Sequence, residues 1–232
     1  VLRDGAAAQY GSDAISGVIN IVLKKNTNGL SGMISYGANV SSYQKDYAFN
    51  KAVDKVNVTD GGSLQAALNY GFSLNKKGFV NINGEYVRRD FSNRTGTYTG
   101  QVYPLVNGQL RDDSTMQARG TNRNTFDMRI GNSKIVGGSL MLNSQYNLGG
   151  GWKVQLFGGY SKKNGEAAGF YRYPSAVFTG AGALYRNLAL AKYPDGFLPL
   201  IQTDIQDISV SAGVLGKLGS WDVSLSNTYG VN

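Results

Sequence analysis

The sequence predicts an all-β fold, a portion of a large antiparallel transmembrane β-barrel. Three observations predict it. Apolar and polar residues alternate at period two, connections alternate between short and long, and aromatic residues collect at strand ends. Composition agrees, with 32 Gly in 232 residues and only 16% charged residues, where about a quarter is usual. Hydrophobic residues make up 41%, yet mean hydropathy is −0.25, so apolar side chains are interleaved with polar ones. No run approaches the roughly 18 apolar residues of a spanning helix.

The strands follow in order. Leu30, Ile34, Tyr36 and Val40 begin the series. Leu64, Ala66, Leu68, Tyr70, Phe72 and Leu74 then share one parity, against Gln65, Ala67, Asn69, Gly71 and Ser73. Such alternation marks a strand lying between two different environments. Val80, Ile82 and Tyr86 repeat it against Asn81, Asn83 and Glu85. Val136, Leu140, Leu142, Tyr146 and Leu148 do so against Ser139, Asn143, Gln145 and Asn147. Three more copies are Trp152, Val154, Leu156 and Tyr160; Ile208, Val210, Ala212 and Val214; and Trp221, Val223, Leu225 and Tyr229. Most of these segments run for about 9–11 residues, enough for a tilted strand to cross the hydrocarbon layer.

The connections carry the topology. "NKKG" at 75–78, "GGG" at 149–151 and "GS" at 219–220 are tight turns, whereas long polar loops are expected near 41–62, 91–133 and 164–203. Short turns at one end and long loops at the other characterise outer-membrane barrels. Trp152 and Trp221 each follow a short turn, as expected of a membrane-interface belt, and Tyr86, Tyr160 and Tyr229 stand at the height of an opposite belt. A β-sandwich also alternates, but there the apolar faces of two sheets meet and the polar faces are wet.

Chemistry is limited by what is missing. With no His and no Cys, neither a Ser-His-Asp triad nor a thiolate or imidazole zinc site can be built. The acidic residues show no spacing suited to acid/base work. No enzyme activity, metal site or cofactor is therefore expected. The +8 charge is spread over loops and turns, which argues against nucleic-acid binding.

The opening stretch, "VLRDGAAAQYGSDAISGVINIVLKK", differs from the rest. Its Gly5, Gly11 and Gly17 are six apart and fit no phosphate-binding loop. Val1-Leu2-Arg3-Asp4-Gly5, Tyr10-Gly11, Ala14 and Gly17-Val18-Ile19-Asn20-Ile21 follow one another in an order that resembles the end of the plug domain of TonB-dependent outer-membrane receptors. The resemblance divides the chain into the end of a plug at 1–28 and the start of a barrel at 29–232. It implies about seven of some 22 strands in a barrel that holds a plug in its lumen. Seven strands cannot close, so the reading expects an incomplete barrel, an open curved sheet with the opening segment against its polar face.

The resemblance further implies a Gram-negative outer-membrane location and active import of a scarce nutrient, with a ferric siderophore or similar metal complex favoured over an oligosaccharide. The implied partners are the TonB-ExbB-ExbD complex, engaged through a segment upstream of Val1, the extracellular nutrient, and outer-membrane lipid with lipopolysaccharide. Arg3, Gly5, Tyr10, Gly11, Gly17 and Asn20 carry the plug motif, with Val18, Ile19, Ile21 and Val22 as a buried plug strand. Arg3 matches an arginine thought to pair with acids of the barrel wall, and Glu85 is one candidate partner. In the loops, Arg94, Tyr98, Tyr103, Arg111, Tyr171, Arg172 and Tyr173 offer a cationic and aromatic surface for an anionic, ring-bearing ligand. The same loops would equally serve as solvated contacts to lipopolysaccharide phosphates. "GALYRNLALAKYPDG" is expected to form a short helix ending at Tyr193-Pro194. A plugless porin or adhesin barrel and a secreted carbohydrate-binding sandwich are the alternatives.

Overall fold

The computed structural model describes residues 21–44, 55–175 and 181–232. Seven strands form one antiparallel sheet in sequence order: β1 (Asn28–Gln44), β2 (Lys55–Leu74), β3 (Gly78–Arg89), β4 (Lys134–Gly149), β5 (Trp152–Ala168), β6 (Leu200–Leu218) and β7 (Trp221–Val231). Among the described residues, β1 pairs only with β2 and β7 only with β6. Among the described residues, two helices, α1 (Asp112–Arg119) and α2 (Ala181–Lys192), and a 3-10 turn (Arg123–Phe126) lie in the long connections. Among the described residues, no helix is long and apolar enough to cross a membrane, which says nothing of crossing by strands.

The tight turns fall where their residues demand. Asn75 and Lys76 take positive φ of 47° and 58°, and Lys77 N–H donates to the Leu74 carbonyl at 2.8 Å. Positive φ matches the twist of two antiparallel strands joined by a short loop. Gly150, Gly151 and Gly219 supply it at the next two hairpins.

Register lines the apolar residues up across the sheet. Leu30 pairs with Tyr70, Tyr70 with Ile82, and Ile82 with Leu142. Leu140, Tyr160, Ile208 and Val231 make a second row in the same way. Nearly all of these side chains are solvent-exposed. Among the described residues, the buried hydrophobic side chains are Phe79 and a cluster in the loops. Among the described residues no second sheet covers the apolar face, as the apposed sheets of a sandwich would.

The polar face is the better packed one. Asn69 and Asn81 are each 3% exposed, and Gln65 Nε2 donates to Glu85 Oε1 at 2.7 Å. Residues 24–26 lie against this face, with Asn81 Nδ2 donating to Asn26 Oδ1 at 2.5 Å and Asn143 Nδ2 to the Lys24 carbonyl at 2.8 Å. Buried amides bonded to one another satisfy their polar atoms, which an apolar core would not.

Several expectations need correction. The strands run for 11 to 20 residues, longer than the apolar alternation. As a result, β1 and β2 take up both flanks of the loop expected at 41–62, and β5 and β6 shorten the loop expected at 164–203 to 169–199. Alternation reports side-chain environment, whereas the ladder pairs backbone groups whatever their side chains, so it continues past the apolar belt. Ile21 and Val22 are 79% and 75% exposed and lie in no strand. Val22 borders a cavity lined by Asn69, Asn81 and Met141, but no described strand pairs with the backbone of either residue. Arg3, Gly5, Tyr10, Gly11, Gly17, Val18, Ile19 and Asn20 lie outside the described residues.

Candidate functional site

The candidate site is the head built by the connections 90–133 and 169–199 at the end of the sheet opposite the tight turns. Its stem extends the β2–β3 ladder and continues the β3–β4 pairing beyond both strands. Asp90 N–H donates to the Gly62 carbonyl, Ser92 N–H to Asn132 and Arg94 N–H to Ile130, at 2.8, 3.2 and 2.8 Å. Asn93 Oδ1 accepts from the amides of Thr95 and Ile130, binding the two legs together. Gly131 is required at this point, since a Cβ there would stand 2.3 Å from the Ser92 carbonyl oxygen.

Above the stem the two connections share a small core. Val102 and Phe126 are fully buried, and Met116, Tyr103 and Tyr171 nearly so. α1 supplies Met116, and its ends explain its place. Asp112 and Asp113 occupy the first turn, Arg119 the last, and Gly120 closes it at φ 66°. The 3-10 turn that buries Phe126 starts at Asn122, whose side chain accepts from the Asn124 amide at 3.0 Å.

The rings run in sequence through this core. Tyr98 stacks on Tyr173 with centroids 4.0 Å apart, and Tyr173 lies 4.9 Å from Tyr171. Tyr171 meets the edge of Phe126 at 5.6 Å, and Phe126 that of Tyr103 at 5.8 Å. Offset and edge-on contacts of this kind add to plain area burial. Burial, and then the charge of Asp195, pushes the Tyr171 phenol up to about 12, and burial raises Tyr98, Tyr103 and Tyr173 as well. At neutral pH these phenols stay protonated and offer O–H donors and ring faces rather than anionic oxygens.

Two carboxylates organise the head. Asp112, 2% exposed, accepts from the amides of Val102 and Tyr103 at 2.8 and 3.0 Å. Asp195 accepts from the Tyr103 hydroxyl at 2.6 Å and pairs with Arg119, while its carbonyl accepts from the Tyr171 hydroxyl at 3.1 Å. Burial opposes ionisation of Asp195, but the bonds from Tyr103 and Arg119 outweigh it and hold the carboxyl below its ordinary range.

The residues expected to meet ligand therefore divide. Arg94 is paired with Asp60 and donates to Ser41 Oγ at 3.1 Å, tying the stem to β1 and β2. Tyr98, Tyr103, Tyr171 and Tyr173 are brought together as the head's core. Arg111 donates to Gln109 Oε1 at 2.9 Å, and it and Arg172 have exposed side chains with no carboxylate in salt-bridge range among the described residues. Of the other loop arginines with described side chains, Arg119 pairs with Asp195, Arg123 with Asp112 and Asp113, and Arg129 with Glu166 at 3.0 Å. Sequence reasoning missed Asp112, Asp195 and α1, although the acidic-start, basic-end, Gly-stop pattern of "DDSTMQARG" signals the helix. α2 is present as expected.

Glu85 faces Gln65, and its expected partner Arg3 lies outside the described residues. Trp152 packs over Gly216, while Trp221 is 76% exposed at the neighbouring hairpin. Among the described residues, no group of three or more acidic, His or Cys side chains is placed to hold a metal.

No family model matches the chain. Over 70 residues it is 40% identical to the ferric enterobactin receptor PirA of Pseudomonas aeruginosa. That stretch is 30% of this chain and 9% of the receptor, so the chain spans a small part of the relative it matches.

Proposed function

We propose that this chain is part of a TonB-dependent outer-membrane receptor that imports a ferric siderophore or a similar metal complex and has no enzymatic activity of its own. In this reading residues 1–28 end a plug, 29–232 begin the barrel wall, and the TonB-ExbB-ExbD complex acts through a segment upstream of Val1. The observation that carries the reading is the inverted packing of the sheet. Rows of apolar side chains in register are exposed on one face, and hydrogen-bonded amides are buried on the other. An apolar exterior over a polar interior is the arrangement that lipid requires of a barrel wall. Trp152 and Trp221 then belong to the interface belt on the turn side, and the loop head stands outside the cell near lipopolysaccharide. The similarity to a ferric enterobactin receptor supports the substrate class.

Arg111 and Arg172 are two exposed cations of the head with no carboxylate in salt-bridge range among the described residues, available for an anionic ligand. An oligosaccharide is the second reading, favoured because Arg94, Arg119, Arg123 and Arg129 are neutralised and the rings are neutral phenols. The test is uptake of radiolabelled ferric enterobactin by cells carrying the full-length gene, with and without the energy-coupling complex. Energy-dependent uptake that is lost on deletion of the gene is expected. Uptake unchanged by loss of coupling would point to a plugless porin instead.

A further inference from the structure

We propose that Lys24–Asn26 is a fixed anchor, which pins the chain to the polar face of the sheet just before β1 so that displacement of the preceding residues ends there.

Three separate contacts converge on these residues. Asn81 Nδ2 donates to Asn26 Oδ1 at 2.5 Å and reaches the Asn26 carbonyl at 3.4 Å. Asn69 Nδ2 donates to Asn81 Oδ1 at 2.5 Å, which turns the Asn81 amide so that its N–H₂ points at Asn26. Asn69 and Asn81 are both buried, so neither amide has a water alternative of equal quality. On β2, Gly71 admits the strap, because a Cβ there would stand 2.1 Å from the Asn26 carbonyl oxygen. On β4, Asn143 Nδ2 holds the Lys24 carbonyl at 2.8 Å.

The strap thus crosses from β2 to β4, against the strand direction. Among the described residues its backbone has no ladder partner, and side-chain amides supply the bonds a neighbouring strand would otherwise give. The hold is local. Leu23 and Asn26 are half-buried, whereas Ile21 and Val22 before them, Lys24 and Lys25 between them, and Thr27 and Asn28 after them are exposed. A covering segment would be buried along its length; this one is gripped at two residues.

The uptake arm of the test rests on the importer reading, and the spin-label arm does not. In a full-length background cleared of any other Cys, Asn81→Ala is expected to raise the mobility of a nitroxide label on K25C by at least about twofold, with a label on S161C of β5 unchanged. Asn143→Ala, at a half-buried position, gives a milder increase and stands in if the first variant does not fold. Unchanged label mobility at position 25 would overturn the anchor. These 232 residues contain no Cys, so in the same background N26C/N81C can be joined covalently without competing thiols. The joined protein is expected to import ferric enterobactin at the wild-type rate. A block that is relieved by reduction would overturn the anchor, since the junction would then have to move. If the wild type itself shows no energised uptake, the importer reading fails and the label result alone decides the anchor.

Discussion

The Tyr103 hydroxyl donates to Asp195 Oδ1 at 2.6 Å, joining two loops across 92 residues of sequence. Arg119 meets the same carboxylate from the end of α1. This contact makes one head of two connections.

Asp195→Asn keeps an acceptor for Tyr103 but removes the charge opposite Arg119. Faster tryptic cleavage after Arg119 is expected, with the sheet intact. The folded carboxyl lies below its ordinary value, so its contribution is complete above about pH 4. It fades as pH falls through the lower folded value. Near-ultraviolet dichroism of the tyrosines between pH 5 and 2 should show this step in the wild type and lose it in the variant.

Phe126→Ala empties the centre of the head core at a local cost of about 3–5 kcal/mol. Hydrogen exchange should rise throughout 95–128 while β2–β6 stay protected. Equal loosening of head and sheet would mean that the head is not a separate packing unit.

The face assignment predicts opposite outcomes for two substitutions on neighbouring strands. Ile82→Lys places a charge on the apolar face and is expected to cost about 2–4 kcal/mol near the bilayer midplane. Ser139→Lys on the polar face should be tolerated. The fraction of each variant recovered folded from outer membranes decides it, and equal recovery would refute a lipid-facing sheet.

Gly216→Val must displace the Trp152 ring, because a Cβ at this position would stand 2.2 Å from it. With Trp221→Phe and any Trp outside these 232 residues replaced, Trp152 is the sole emitter, so the emission should shift on the Gly216 substitution. An unchanged spectrum would show that the ring does not rest there.

Alkaline titration followed by phenolate absorbance should show Tyr98, Tyr103, Tyr171 and Tyr173 ionising above the ordinary value of about 10, with Tyr171 near 12. In Phe126→Ala, which opens the core to water, those phenols should return toward 10.

The strand series was legible because each strand lies between two environments, and side chains at period two record that directly. The alternation gives the sheet class, and the three short turns pair β2 with β3, β4 with β5 and β6 with β7, whereas the long connections leave the other neighbours to the tertiary structure. Strand ends were not legible, because backbone pairing at Lys55–Ser63 and Leu200–Gln206 continues where side-chain contrast fades.

The loops were the reverse. Their tyrosines and arginines were visible as residue types, and their roles depended on partners far away in sequence. Tyr103 needs Asp195, Arg94 needs Asp60, and Tyr98 needs Tyr173. No local pattern encodes such pairings, because contact between distant segments follows from how the strands space their ends. The sequence by itself determined a sheet with one apolar and one polar face. Tertiary structure alone decided that no described residue covers the apolar face, that the loop aromatics form a core, and that Asn81 grips the chain ahead of β1.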